Sequence, residues 1–326
     1  MNAAFINNIF NTVPHAFPSL ALEVFHFQYR ENALYRKFVK QLGIRKEEVT
    51  SPEKIPFLPV SFFKTHTVKT TSFDSELVFA SSGTTQTINS FHYIKETAIY
   101  RQSFFQFFEE NYGNISNWCV LGLLPSYLER NNSSLVYMVN ALIEESKHPE
   151  SGFYLKEFDQ LFSVLKKLEA RNQPAILIGV TFGLLDFFEH YEIPLKHTII
   201  METGGMKGRR EEWTRKEVHD FIKSKTGLKQ IHSEYGMTEL LSQAYSKGEG
   251  IFQCPQWMKI LVRDEDDPLL VKTEGRGVIN VIDLANIYSC SFIATDDAGT
   301  LHMDGSFEVI GRVDNSDIRG CSLMAV

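Results

Sequence analysis

Between about residues 76 and 245, short apolar runs alternate with amphipathic stretches, and this alternation limits the chain to few folds. The runs at 76–81, 118–124, 175–180, 198–201 and 228–232 have strand length. The stretches at 95–112, 133–146, 156–171 and 211–225 between them read as helices. Strands alternating with helices predict an α/β fold, with a large, mostly parallel sheet flanked by helices on both faces. After about residue 255 the pattern changes to short β-rich runs at 259–262, 269–272, 277–283, 292–295, 300–303 and 307–310, separated by Gly and Asp turns. That pattern predicts a smaller antiparallel β-rich subdomain toward the C-terminus. Residues 1–75 read as helices and loops, with Pro52, Pro56 and Pro59 punctuating an aromatic stretch that ends at Lys64. The expected division is 1–254 for the helix-rich region with the α/β core, and 255–326 for the β-rich part.

Charge and cysteine placement exclude several functions. Net charge is 33 − 40 = −7, and a general nucleic-acid binder needs a basic face. The first basic residue is Arg30, so no basic region precedes an apolar stretch, and the longest apolar run, 174–185, is too short to span a bilayer. A cytoplasmic protein with no membrane span is expected. Cys119, Cys254, Cys290 and Cys321 form no C-x-x-C pair, which argues against zinc, and with no secretion signal reduced thiols are expected.

Three loops carry chemistry. Ser81-Ser82-Gly83-Thr84-Thr85-Gln86 follows a predicted strand, and its small and hydroxyl residues can wrap phosphates with backbone N–H and side-chain donors. It is not a Walker A loop, because no Gly-Lys-Ser/Thr follows. Glu202-Thr203-Gly204-Gly205-Met206-Lys207-Gly208 also follows a strand, and paired glycines let a flat ligand lie against bare backbone. Ser233-Glu234-Tyr235-Gly236-Met237-Thr238-Glu239 ends on an acid suited to a hard cation such as Mg²⁺. Alone, the first reads more readily as a polar turn and the third as a solvated charge, and the second serves as well for a plain glycine turn. Together, loops after strands of an α/β sheet open on one carboxyl edge, where ligands bind.

With these motifs, the chain resembles the adenylate-forming superfamily of acyl-CoA synthetases, luciferases and peptide adenylation domains. Ser82-Gly83-Thr84-Thr85 is similar to its phosphate loop, and Gly204-Gly205 to its adenine-side glycines. Tyr235-Gly236-Met237-Thr238-Glu239 is similar to the motif in which Tyr lies near adenine, Thr meets the α-phosphate and Glu binds Mg²⁺. Thr295-Asp296-Asp297 resembles the segment whose Asp holds the ribose hydroxyls, with Asp296 and Asp297 both open for that role. Gly311-Arg312-Val313-Asp314 resembles the hinge motif, with Arg312 near the ribose. Within the superfamily, the stretch ending in Phe62-Phe63-Lys64, the Thr203–Lys207 segment and the terminal Arg319-Gly320-Cys321 resemble LuxE-type acyl-protein synthetases.

The resemblance implies an ATP- and Mg²⁺-dependent ligase. It would activate an acid with an apolar tail, then pass the acyl group to a thiol. Leu124–Tyr127, Tyr137 and 180–182 are candidate pocket walls. A CoA ligase similar to the phenylacetate branch and a non-catalytic AMP- or ATP-binding scaffold are the alternatives. The implied acceptors are a partner reductase, an acyl carrier or CoA. Two departures stand out. Gln86 replaces the usual Gly, and the sequence ends 326 − 314 = 12 residues after the hinge motif. The expectation is a short form without the superfamily's C-terminal domain and its lysine. Lys207 is then expected to supply that charge, and Cys321, by resemblance, to carry the acyl group.

Overall fold

The computed structural model describes residues 3–81, 88–125, 132–204 and 213–313. The expected α/β architecture is present. Five strands pair in parallel in the order Gly152–Phe153, Cys119–Leu123, Ala175–Gly179, Thr198–Glu202, His232–Tyr235. From His232–Tyr235 outward, pairing turns antiparallel through Ala244–Ser246, Ile251–Gln253, Phe307–Arg312, Phe292–Leu301, Gly275–Asp283, Met258–Arg263 and Val271–Lys272. The antiparallel strands therefore continue the parallel ones in one 13-stranded sheet, which Leu58–Pro59 joins by pairing parallel to Phe292–Leu301.

The central strands are apolar on both sides, and their residues divide with period two. Val120, Ile176 and Ile178 join a core with Phe104, Val139 and Leu142 of the helices Thr97–Tyr112 and Ser134–Ser146. Leu121, Leu123 and Leu177 join a second core with Leu161, Leu184, Phe188 and Ile222 of the helices Phe158–Ala170, Thr181–His190 and Arg215–Thr226. A strand buried on both faces reads as a continuous apolar run, which is why these strands were visible in the sequence. Two short helices lead in at the other end of the sheet. From Phe17–Glu31, Gln28 Nε2 donates to the carbonyl oxygens of Asn286 and Ile287 at 3.2 and 3.0 Å. Asn32, which caps Ala33–Gln41, donates to the Ser289 carbonyl at 3.1 Å.

Two details correct the sequence reading. The strand before the 81–86 loop, Leu77–Ala80, is not part of the parallel sheet. It pairs antiparallel with Phe91–Ile94 in a separate two-stranded sheet, and residues 82–87 between the two strands lie outside the described residues. A four-residue apolar run carries no mark of its partner, and only tertiary pairing distinguishes the two cases. The strand expected at 228–232 lies instead at His232–Tyr235, so Ser233, Glu234 and Tyr235 are strand residues rather than loop. The polar alternation His-Ser-Glu-Tyr hid it from an apolar search. Among the described residues, no helix is long and apolar enough to cross a membrane.

Candidate functional site

Two of the three expected loops do leave neighbouring parallel strands on one edge. Glu202 and Ser233 are paired in register and form the last pair of the parallel ladder between their strands. The turn after Glu202 needs Gly204, whose φ is +74°, a conformation that side chains disfavour. Its N–H donates to Glu202 Oε1 at 2.6 Å, and the same oxygen accepts from the Thr181 hydroxyl. On the other oxygen, Glu202 faces Ser233 Oγ at 3.5 Å and His219 Nε2 at 3.9 Å. Burial acts to raise the Glu202 carboxyl, but His219, Thr181 and the charge of Arg215 outweigh it and hold the group below its ordinary value. This buried carboxylate thus fixes the shape of the glycine turn. Gly205 and Lys207 lie outside the described residues.

Tyr235 ends the next strand. Its ring meets Phe252 and Phe307 edge-on, at 6.0 and 5.5 Å between centroids, and its hydroxyl donates to Asp297 Oδ2 at 2.8 Å. Asp297 and Arg312 are cross-strand partners, with Arg312 Nε 3.5 Å from Asp297 Oδ1. The Asp297 N–H donates to Thr295 Oγ1 at 3.1 Å, and Thr295 is itself anchored to the Ile279 carbonyl. Burial pushes the Asp297 carboxyl up, with the Tyr235 hydroxyl and Arg312 pulling it partly back. Of the two candidates left open by the sequence, Asp297 meets Tyr235 and Arg312, while Asp296 is exposed. Gly236 follows Tyr235, where a Cβ would lie 2.4 Å from Glu234 Oε1, so only glycine leaves that carboxyl room. Glu234 itself is pushed up to about 8 by burial and by the charge of Glu202.

Thr238 and Glu239 sit where the hairpin meets the main sheet. The hairpin base is closed by Ser81 N–H to the Ser90 carbonyl, 3.0 Å, and Ser90 N–H to Ser81 Oγ, 2.9 Å. Ser90 also hydrogen-bonds the Glu239 carboxyl. His92, on the second hairpin strand, reaches the Thr238 carbonyl from Nδ1 at 2.8 Å. Asn286 Nδ2 donates to the Glu239 carbonyl at 2.7 Å. Directly after Glu239, the N–H groups of Leu241 and Ser242 donate to the buried Asp283 carboxyl, at 2.8 and 2.9 Å. Glu239 is 6% exposed, and burial pushes its carboxyl up against the opposing effects of Ser90, Arg312 and Lys64. A buried carboxylate with that net penalty is a group that a cation would stabilise.

The structure therefore brings Tyr235, Gly236, Thr238, Glu239, Asp297 and Arg312 to one region, with Gly204 on the adjoining strand end. Ser82, Gly83, Thr84, Thr85, Gly205, Lys207 and Cys321 lie outside the described residues. So do two of the pocket candidates, 126 and 127, while Leu124, Val180 and Phe182 belong to the buried core. Sequence reasoning missed Ser90, His92, Asn286 and Lys64 as site residues. Lys64 was quoted only for family resemblance, yet the parallel pairing of Leu58–Pro59 with Ile293 and Ala294 carries its segment beside Thr295-Asp296-Asp297. The others are single polar residues in apolar surroundings and gave no spacing signal.

The model of the acyl-protein synthetase family, LuxE, matches residues 14–325. No curated protein matches the chain. Among solved structures, ATP-bound MatB from Rhodopseudomonas palustris superposes with a TM-score of 0.55 at 15% identity, covering 74% of this chain and 49% of that one. Two ATP-bound RpMatB–BxBclM chimeras superpose with a TM-score of 0.53 at 14% identity, each over 74% of this chain and 49% of theirs. The chain thus spans about half the length of the solved structures it matches. At these identities the likeness is one of fold, and the family match, over nearly the whole chain, is what assigns it: this protein belongs to the LuxE acyl-protein synthetase family.

Proposed function

We propose that this protein activates a fatty acid with ATP as an acyl-adenylate and transfers the acyl group to the Cys321 thiol. The observation that carries the reading is the Tyr235–Asp297–Arg312 cluster facing Glu239, with Arg312 acting on both carboxylates. In this reading Asp297 accepts from the ribose hydroxyls, while Arg312 and Tyr235 hold it in place. Gly204, Gly205 and Gly236 leave room for the adenine, and Tyr235 borders it. Ser82, Gly83, Thr84 and Thr85 donate to the phosphates, and Thr238 to the α-phosphate.

Glu239 suits Mg²⁺. Among the described residues no three His, Cys, Asp or Glu groups form a protein metal cage. Mg²⁺ is commonly held by one or two carboxylates with substrate phosphates completing its shell. Bound there, it would supply charge neutralisation on the phosphates. The substrate carboxylate oxygen bonds the α-phosphorus, the bond to the bridging oxygen breaks, and pyrophosphate leaves. Positioning and charge dominate such a step. The thiol sulfur then bonds the acyl carbon, AMP leaves with the bonding pair, and the thiol proton passes to solvent.

Cys321 is favoured by the state of the other thiols. Burial pushes Cys119 up to about 11 and Cys290 up to about 12, and it raises Cys254 further. Such thiols hold little thiolate at neutral pH, and the thiolate is the nucleophile. The test is trapping with hydroxylamine in the presence of ATP, Mg²⁺ and acids of graded chain length. Acyl-hydroxamate from long-chain acids supports the reading, and none from any acid contradicts it.

A further inference from the structure

We propose that His92 is a positioning residue for Thr238 and Glu239, locking the backbone of this pair to the two-stranded sheet of Leu77–Ala80 and Phe91–Ile94. The inference rests on the adenylating role proposed above.

His92 is 1% exposed and lies on Phe91–Ile94, opposite Phe79 of the partner hairpin strand. Its ring is held edge-on by Phe63 at 5.8 Å. Nδ1 stands 2.8 Å from the Thr238 carbonyl oxygen, which can only accept, so Nδ1 carries the proton. Nε2 in the neutral ring is then an acceptor, and among the described residues it has no hydrogen-bond partner within normal distance. The neighbour on that side is Asn286, which is fully buried. Its amide nitrogen donates to the carbonyls of Glu239, at 2.7 Å, and Cys290, at 3.0 Å, which fixes the amide orientation and leaves Oδ1 also without a partner.

Two consecutive backbone carbonyls, those of Thr238 and Glu239, are therefore gripped from below by two side chains. Asn286 ties the pair to the main sheet's antiparallel half, where it follows Asp283 at the end of Gly275–Asp283. His92 ties it to the hairpin. Ser90, two residues before His92, bonds the Glu239 carboxyl itself and closes the loop base with Ser81. The strand bearing His92 thus sets both the backbone and the side chain of Glu239 relative to the two-stranded sheet of Leu77–Ala80 and Phe91–Ile94. A side-chain donor that aims a neighbouring group in this way acts through geometry, and misplacement by about 1 Å can cost up to about a hundredfold in rate.

The experiment compares His92→Phe, which keeps the ring but loses the donor, with His92→Asn, whose amide nitrogen can replace Nδ1–H. Acid-dependent pyrophosphate exchange is measured across Mg²⁺ concentrations. His92→Phe should raise the half-saturating Mg²⁺ about tenfold and lower kcat, with KM for the acid unchanged, and His92→Asn should restore most of both. Wild-type Mg²⁺ dependence in a folded His92→Phe protein would overturn the proposal. Equal losses in the Phe and Asn variants would overturn it too. Nitrogen NMR of the wild-type protein with labelled histidine supplies a readout independent of activity. A neutral Nδ1–H tautomer for His92 supports the proposal, and an Nε2–H tautomer overturns it even if no acid is ever adenylated.

Discussion

The phenolic hydroxyl of Tyr235 donates to Oδ2 of Asp297 at 2.8 Å, joining the end of the last parallel strand to a strand of the antiparallel half. This bond crosses from Tyr235 to a residue 62 positions later, and on the other Asp297 oxygen stands Arg312. Tyr235→Phe removes it. A hydrogen bond to a charged group contributes about 1.5–3 kcal/mol. The expected result is ATP binding weakened about tenfold by calorimetry, with the fold retained. Unchanged ATP affinity would detach this cluster from nucleotide binding.

Glu239→Gln is expected to abolish acid-dependent pyrophosphate exchange, by about a hundredfold or more. The stability effect should have the opposite sign. Burial raises the Glu239 carboxyl, so the charged form is penalised in the folded state at neutral pH, and a neutral isostere relieves this. The variant should melt at or above the wild-type temperature. Calorimetry alongside the exchange assay checks both, and full exchange activity would remove Glu239 from the metal role.

Glu234 gives a pH signature. Its folded value is pushed up to about 8 from an ordinary 4.5. The folded state therefore binds the proton more tightly than the unfolded one. Stability from this group is fully present below about 4.5 and is lost as pH rises through about 8. At about 1.4 kcal/mol per pKa unit, the loss is on the order of a few kcal/mol. Glu234→Gln should match wild type in melting temperature near pH 5 and exceed it at pH 9. A constant gap between the two proteins across that range would contradict the assignment.

Lys207 and Lys64 are the two candidates proposed for the charge that neutralises the α-phosphate. Lys207→Ala and Lys64→Ala separate them. Lys64 acts on the Glu239 carboxyl, and among the described residues it makes no ion pair. Loss of at least about tenfold in exchange rate is expected in one variant, with KM for the acid less affected. Normal adenylation in both would assign the charge to another cation.

Much of this fold was legible because buried parallel strands are apolar throughout. Cys119–Leu123 and Ala175–Gly179 stood out as unbroken runs, and the charged amphipathic stretch at 211–225 marked the helix Arg215–Thr226, which the structure starts at the Thr214/Glu217 capping box. His232–Tyr235 did not, because a strand at the sheet's turning point carries site residues instead of core residues. The helix Thr181–His190 was also hidden, since its all-round apolar sequence merged with the strand before it. At the candidate site, the residues themselves singled out Glu239, and family resemblance added Tyr235, Thr238 and Arg312. Neither could expose Asn286, His92 or Asp283, whose importance lies in reaching backbone groups 47, 146 and 41 or 42 positions away. Asp297 could be separated from Asp296 only by knowing which way the strand faces.

The central claim, that the acyl group moves from an adenylate to Cys321, is tested most directly by intact-protein mass spectrometry after incubation with ATP, Mg²⁺ and a long-chain fatty acid. Wild-type protein should gain the mass of one acyl group, and hydroxylamine should remove it. Cys321→Ser should gain none while still giving acyl-hydroxamate when trapped. Acylation of the Cys321→Ser protein equal to wild type, or no acylation of wild type with any acid that it adenylates, would contradict the account.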